Sequence, residues 1–100
     1  MQLANKRKGS SLTVMLTGEL DHHNAAEIRE TLDGMLDGSV RELTLDMSGV
    51  TFMDSSGIGI VLGRYKRMRE RDGRLYLSGF NGNAEKILRM SGVLGLVEKR

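Results

Sequence analysis

The sequence predicts an α/β fold: a single domain over residues 1–100, with a mixed, mostly parallel sheet and helices packed mainly on one of its faces. After residue 11 the hydrophobic period switches back and forth between two and about 3.6, the rhythm of parallel strands joined by right-handed helical crossovers. The strand segments carry Thr, Asp, Ser or Tyr at every second place, so one sheet face is left without a helical cover. A chain of 100 residues has the size of one core and not of two.

The elements follow in chain order. Residues 2–7 form an edge strand, blunted by Asn5 and the Lys6-Arg7-Lys8 run. "SLTVMLTG" (11–18) alternates, with Leu12, Val14 and Leu16 on one face and Thr13, Met15 and Thr17 on the other. From Ala25 the spacing becomes three and four, gathering Ala25, Ile28, Leu32, Met35 and Leu36 on one helical face. Asp21 or Asn24 caps its start, Asn24 with Glu27 has the form of a capping box, and Gly38 supplies the stop. "ELTLDM" (42–47) alternates again. The next helix carries Ile58, Val61, Leu62, Tyr65 and Met68 on one stripe and breaks at "RDG" (71–73). "RLYLSG" is a further strand. "NAEKILRMSG" (83–92) is a short helix with Ala84, Ile87, Leu88 and Met90 inward and Gly92 at its end, and "GLVEK" closes the sheet.

Composition removes several functions. Fifteen basic and thirteen acidic residues leave a formal charge of +2, too balanced to imply a nucleic-acid or membrane partner. The run from Arg64 to Arg74 reads as a solvated helix face. With no cysteine there is no disulfide framework, thiolate nucleophile or Cys-based zinc site. No apolar run reaches the roughly 18 residues of a membrane span, and no signal peptide is visible, so a cytoplasmic location is expected. No cofactor is implied.

Candidate chemistry narrows to one segment. Asp21, His22 and His23 lack the additional carboxylates and the i, i+4 partner that a metal site needs, which leaves the histidines facing solvent in the first turn. "DSSG" is not the G-x-S-x-G of a nucleophile elbow. In "GIGIVLG" the glycines are spaced two and then four apart, without the lysine of a phosphate loop. Gly59 and Gly63 are expected to permit close helix packing or partner access, since each costs up to about 1 kcal/mol relative to alanine in a helix. In "FMDSSG", Asp54 or Ser55 can cap the helix that starts there. A phosphoryl group on Ser55 would meet the helix's positive end and its free amides, yet lie beside Asp54.

"LTGELDHHNAAEIRE", "LDMSGVTFMDSSGIGIVLGRYKRM" and "ILRMSGVLGLVEK" together resemble the STAS-domain anti-sigma factor antagonists, above all the branch that acts on the anti-sigma-F factor in sporulation. The likeness runs from about residue 11 to 98, and "FMDSSG" followed by "LGRYK" is its specific part. It implies a β-α superhelix with a partly open sheet, and a protein that binds and does not catalyse. The implied partner is an anti-sigma factor that is also a serine kinase. Binding the unmodified antagonist releases the sigma factor, phosphorylation of Ser55 ends binding, and a PP2C-type phosphatase reverses it. By the same resemblance Asp21 and Asp54 flank the phosphorylation site, and Ser56 and Gly57 complete its loop. The expected contact surface takes in Gly18, Glu19, Asp21, His22 and Asn24 before the first helix, with Ile58 and Gly59 at the start of the second. The alternatives are a passive STAS-type scaffold in a stress-signalling or transport assembly, and a nucleotide-binding protein or small hydrolase.

Overall fold

In a computed structural model all 100 residues are described. The elements run β1 (Gln2–Lys8), β2 (Ser11–Leu20), α1 (Ala25–Met35), β3 (Glu42–Met53), α2 (Ser55–Glu70), β4 (Arg74–Ser78), α3 (Gly82–Ser91), a short 3-10 turn (Val93–Gly95) and β5 (Glu98–Lys99). The five strands lie side by side in chain order. β1 is antiparallel to β2, and every other pair is parallel. When each crossover steps to the next strand in the same direction with the same hand, all the helices fall on one face. The expected superhelix of alternating strand and helix is therefore the architecture found.

Burial follows the alternation. Leu12, Val14 and Leu16 of β2, Leu43, Leu45 and Met47 of β3, and Leu75 and Leu77 of β4 point into a core that the helices complete with Ile28, Leu32, Ile60, Val61 and Leu88. On the opposite face Thr13, Met15, Tyr76 and Ser78 remain half-buried. Thr44 is sealed there, at 5% exposure, by Arg100. That guanidinium stacks 3.5 Å from the Tyr76 ring centroid and donates to Thr44 Oγ1 at 3.0 Å.

Several expectations from the sequence need correction. β3 runs six residues beyond Met47, because its second half pairs with a β2 whose register shifts after Met15 and again after Gly18. Gly49 allows that approach: a Cβ there would sit 2.9 Å from the Leu16 carbonyl oxygen. The capping box of α1 does not form. Asn24 makes no side-chain cap and instead donates from Nδ2 to the Glu19 carbonyl at 2.9 Å. Nor does Gly38 stop α1, which ends at Met35 with Leu36 as its C-cap. The chain turns through Asp37, whose carboxylate accepts from the Ser39 amide at 2.8 Å and pairs with Arg7 of β1 at 2.8 Å. The hydrogen bonds from Ser39 and then Arg7 hold that carboxyl far below the usual range.

The buried stripe of α2 is Gly57, Ile60, Val61, Arg64 and Met68, while Ile58, Leu62 and Tyr65 are only half-buried on its flank. Arg64 thus departs from the solvated face expected of the basic run. It is 4% exposed and its Nε lies 3.2 Å from Asp33 Oδ1 of α1, which Arg67 Nε also approaches at 3.2 Å. Burial lowers the Arg64 pKa, Asp33 opposes this, and Arg67 and Arg29 add to the lowering. Gly59 and Gly63 serve no close packing, since a Cβ on either meets nothing within 4 Å. In α3, Met90 points outward at 75% exposure, whereas Gly92 ends the helix in the left-handed conformation (φ 80°) as expected. Of "GLVEK", only Glu98 and Lys99 pair with β4.

Candidate functional site

The segments singled out in the sequence meet at the C-terminal ends of the parallel strands. β2 delivers residues 18–24 and β3 delivers Asp54 and the start of α2, with Leu20 opposite Met53 in the ladder. Gly57 lets α2 descend onto these strand ends: a Cβ there would lie 2.6 Å from Met53 Cγ and 3.1 Å from Leu20 Cδ2. No alanine fits without movement, which is why this glycine belongs to the loop.

Asp54 is the N-cap of α2. Its Oδ1 accepts from the Ser56 amide at 2.8 Å, and its Oδ2 accepts from the His22 amide at 3.1 Å. Its own amide donates to the Leu20 carbonyl at 3.4 Å, and its carbonyl accepts from Gly57 N at 3.0 Å. Partial desolvation works against ionisation here, but the Ser56 and His22 amides, the Ser56 hydroxyl and the neighbouring His22 outweigh it. The Asp54 carboxyl is held below the ordinary carboxylate range.

The two serines differ sharply. Ser56 is half-buried and its amide is hydrogen-bonded to the Asp54 carboxylate. Ser55, the first residue of α2, is exposed. Asp54 already accepts from two of the amides at the start of α2, those of Ser56 and Gly57, so fewer free amides face a phosphoryl group on Ser55 than a bare helix start would offer.

Around this pair the structure places Gly18 at φ 117°, a conformation favouring glycine, then exposed Glu19 and half-buried Asp21. Asp21 Oδ1 accepts from the Asn24 amide at 3.1 Å, which shapes the turn before α1. His22 and His23 are exposed, with rings edge to face 6.1 Å apart. Ile58 is half-buried and Gly59 exposed on the outer side of α2. Two further residues were missed. Phe52, 43% exposed, stands two places before Asp54, and alternation with inward Met53 was the signal that it faces out. Asn83 of α3 accepts the Met53 amide at 2.6 Å, a contact that nothing local in the sequence marks.

No Lys or Arg occurs in residues 11–28, 42–63 or 75–85, the segments that build this end of the molecule. The acidic side chains these segments bring to the site are Glu19, Asp21 and Asp54. The largest cavity, about 350 Å³, is lined by Tyr65, Arg69, Arg74 and Leu96 near the far end of α2, some 15–20 Å from Ser55 along the helix. Around Ser55 itself there is an open surface, suited to contact with a macromolecule and not to enclosing a small ligand. No helix is long and apolar enough to cross a membrane.

This fold is that of a STAS domain. Residues 2–99 match the model of that family, and the chain belongs to it. The anti-sigma F factor antagonist of Paenibacillus polymyxa is 33% identical over 98 residues, which span 97% of this chain and 84% of that protein. The anti-sigma factor antagonist SpoIIAA in its unphosphorylated form superimposes with a TM-score of 0.84 at 27% identity, covering 99% of this chain and 88% of that one. The phosphorylated form of the Bacillus cell fate determinant SpoIIAA gives 0.76 at 28% identity, covering 99% and 91%.

Proposed function

We propose that this chain is an anti-sigma factor antagonist that acts by binding, in the cytoplasm, and is switched by phosphorylation of Ser55. Its partner is an anti-sigma factor with serine-kinase activity. The unmodified antagonist engages this partner and frees the sigma factor, the kinase then modifies Ser55, and a PP2C-type phosphatase restores the active form. Gly18, Glu19, Asp21, His22, Asn24, Asp54, Ser56, Gly57, Ile58 and Gly59 form or support the contact surface.

The observation that carries this reading is the exposure of Ser55 beside a half-buried Ser56 tied to Asp54. A kinase can reach the first hydroxyl and not readily the second. The names of the relatives and the existence of SpoIIAA in two phosphorylation states support it further. Adding about −1.5 to −2 charges next to Asp54 and near Asp21 creates repulsion and a desolvation cost on contact. A penalty of about 2.8 kcal/mol weakens binding about a hundredfold, so no refolding is needed.

Incubation with the anti-sigma factor of the same organism and ATP, followed by mass spectrometry, should place one phosphate on Ser55; label on Ser56 would refute the assignment. By titration calorimetry Ser55→Ala should bind that factor like the parent, and Ser55→Asp should bind about a hundredfold more weakly. Equal binding by parent and Ser55→Asp would remove charge as the switch.

A further inference from the structure

We infer that Asp54 is a positioning residue, which clamps the 18–24 loop to the start of α2 so that the two segments meet the partner as one surface. This rests on the functional reading above and adds to it the element that assembles the site. The chain brings the two segments together from 32 residues apart in sequence. Along β2 and β3 they are held by ladder pairing as far as Leu20 and Met53, and by the Asp54 amide, which donates to the Leu20 carbonyl at 3.4 Å. Past that point the loop leaves the sheet, and its link to α2 is the hydrogen bond from His22 N to Asp54 Oδ2 at 3.1 Å. The other carboxylate oxygen faces the Ser56 amide at 2.8 Å. One side chain thus reaches two backbones from opposite sides, which a single-acceptor cap cannot do.

The two roles separate chemically. Asparagine caps helices about as well as aspartate, so Asp54→Asn keeps one oxygen for the Ser56 amide. Its second polar group becomes an NH₂, a donor facing the His22 N–H donor, and the bridge is lost. Serine likewise keeps a cap and cannot span to the loop. Asp54→Ala removes both contacts.

Amide hydrogen exchange on the isolated protein reads the clamp directly. In Asp54→Asn and Asp54→Ser the His22 amide should exchange about tenfold faster than in the parent, while the Ser56 amide keeps its protection. In calorimetry with the anti-sigma factor of the same organism, both variants, with Ser55 intact and melting temperature near the parent's, should bind about tenfold more weakly or worse. Unchanged exchange at His22 in Asp54→Asn overturns the clamp. Faster exchange at His22 with parental binding overturns its role in positioning. A parent that fails to bind any anti-sigma factor, with the exchange pattern as expected, refutes the functional reading and leaves the clamp standing.

Discussion

Ser55 and Ser56 are adjacent in the chain, yet differ in exposure and in bonding because the N-cap geometry of Asp54 points one into its carboxylate and leaves the other outside. The stability that Asp54 confers has a definite pH signature. Its folded-state pKa is lowered, relative to an unfolded value of about 3.9. Such a group stabilises the fold above the unfolded pKa, and the contribution is lost as pH falls through the folded value. Asp54→Ala is expected to cost about 1 kcal/mol near neutral pH, the usual worth of a cap. Urea titrations of parent and variant should converge as pH drops below the carboxylate range. A stability gap that stayed constant to the lowest accessible pH would show that the ionised carboxylate is not the source.

At the scale of elements, the glycines of α2 give opposite expectations despite identical chemistry. Gly57→Ala forces a Cβ into Met53 and Leu20 and should destabilise by about 1–3 kcal/mol. Gly59→Ala and Gly63→Ala place a methyl in open space and should stabilise by up to about 1 kcal/mol. If the outer face of α2 lies in the contact, Gly59→Ala will also weaken binding to the anti-sigma factor, and chemical denaturation beside calorimetry separates the two effects. The seam between α1 and α2 makes a second case. Arg64 Nη1 is buried without an acceptor, and Asp33 retains Arg67 when Arg64 is replaced. Arg64→Met should therefore change stability by less than about 1 kcal/mol or increase it, whereas Arg64→Ala, which leaves a void, should lose about 2–4 kcal/mol.

For the whole molecule, one contiguous cluster of buried apolar residues links every helix to the sheet, so unfolding should be a single cooperative transition. Leu45 lies on β3, the middle strand of five, and is fully buried. Leu45→Ala is expected to cost about 3 kcal/mol and lower the melting temperature by roughly 12–24 °C. Calorimetry should still give one transition; two separable transitions would mean that the sheet and helices do not share a core. The charge distribution is also a property of the whole. The fifteen basic residues lie outside the three segments that converge on the strand ends, so the uneven placement of charge along the chain is not visible in the total of +2.

The succession of strand and helix, the inward faces of β2, β3 and β4, and the helix start capped within "FMDSSG" were legible in the sequence, because period and local turn chemistry act within a few residues. Tertiary structure alone decided the rest. Arg64 and not Tyr65 faces inward because Gly57 sets the rotation of α2 on Met53 and Leu20. Asn24 abandons its capping box for the Glu19 carbonyl. Asp54 reaches His22 across a gap of 32 residues in sequence. Such contacts depend on where the sheet carries two distant segments, and no local pattern of residues encodes that distance.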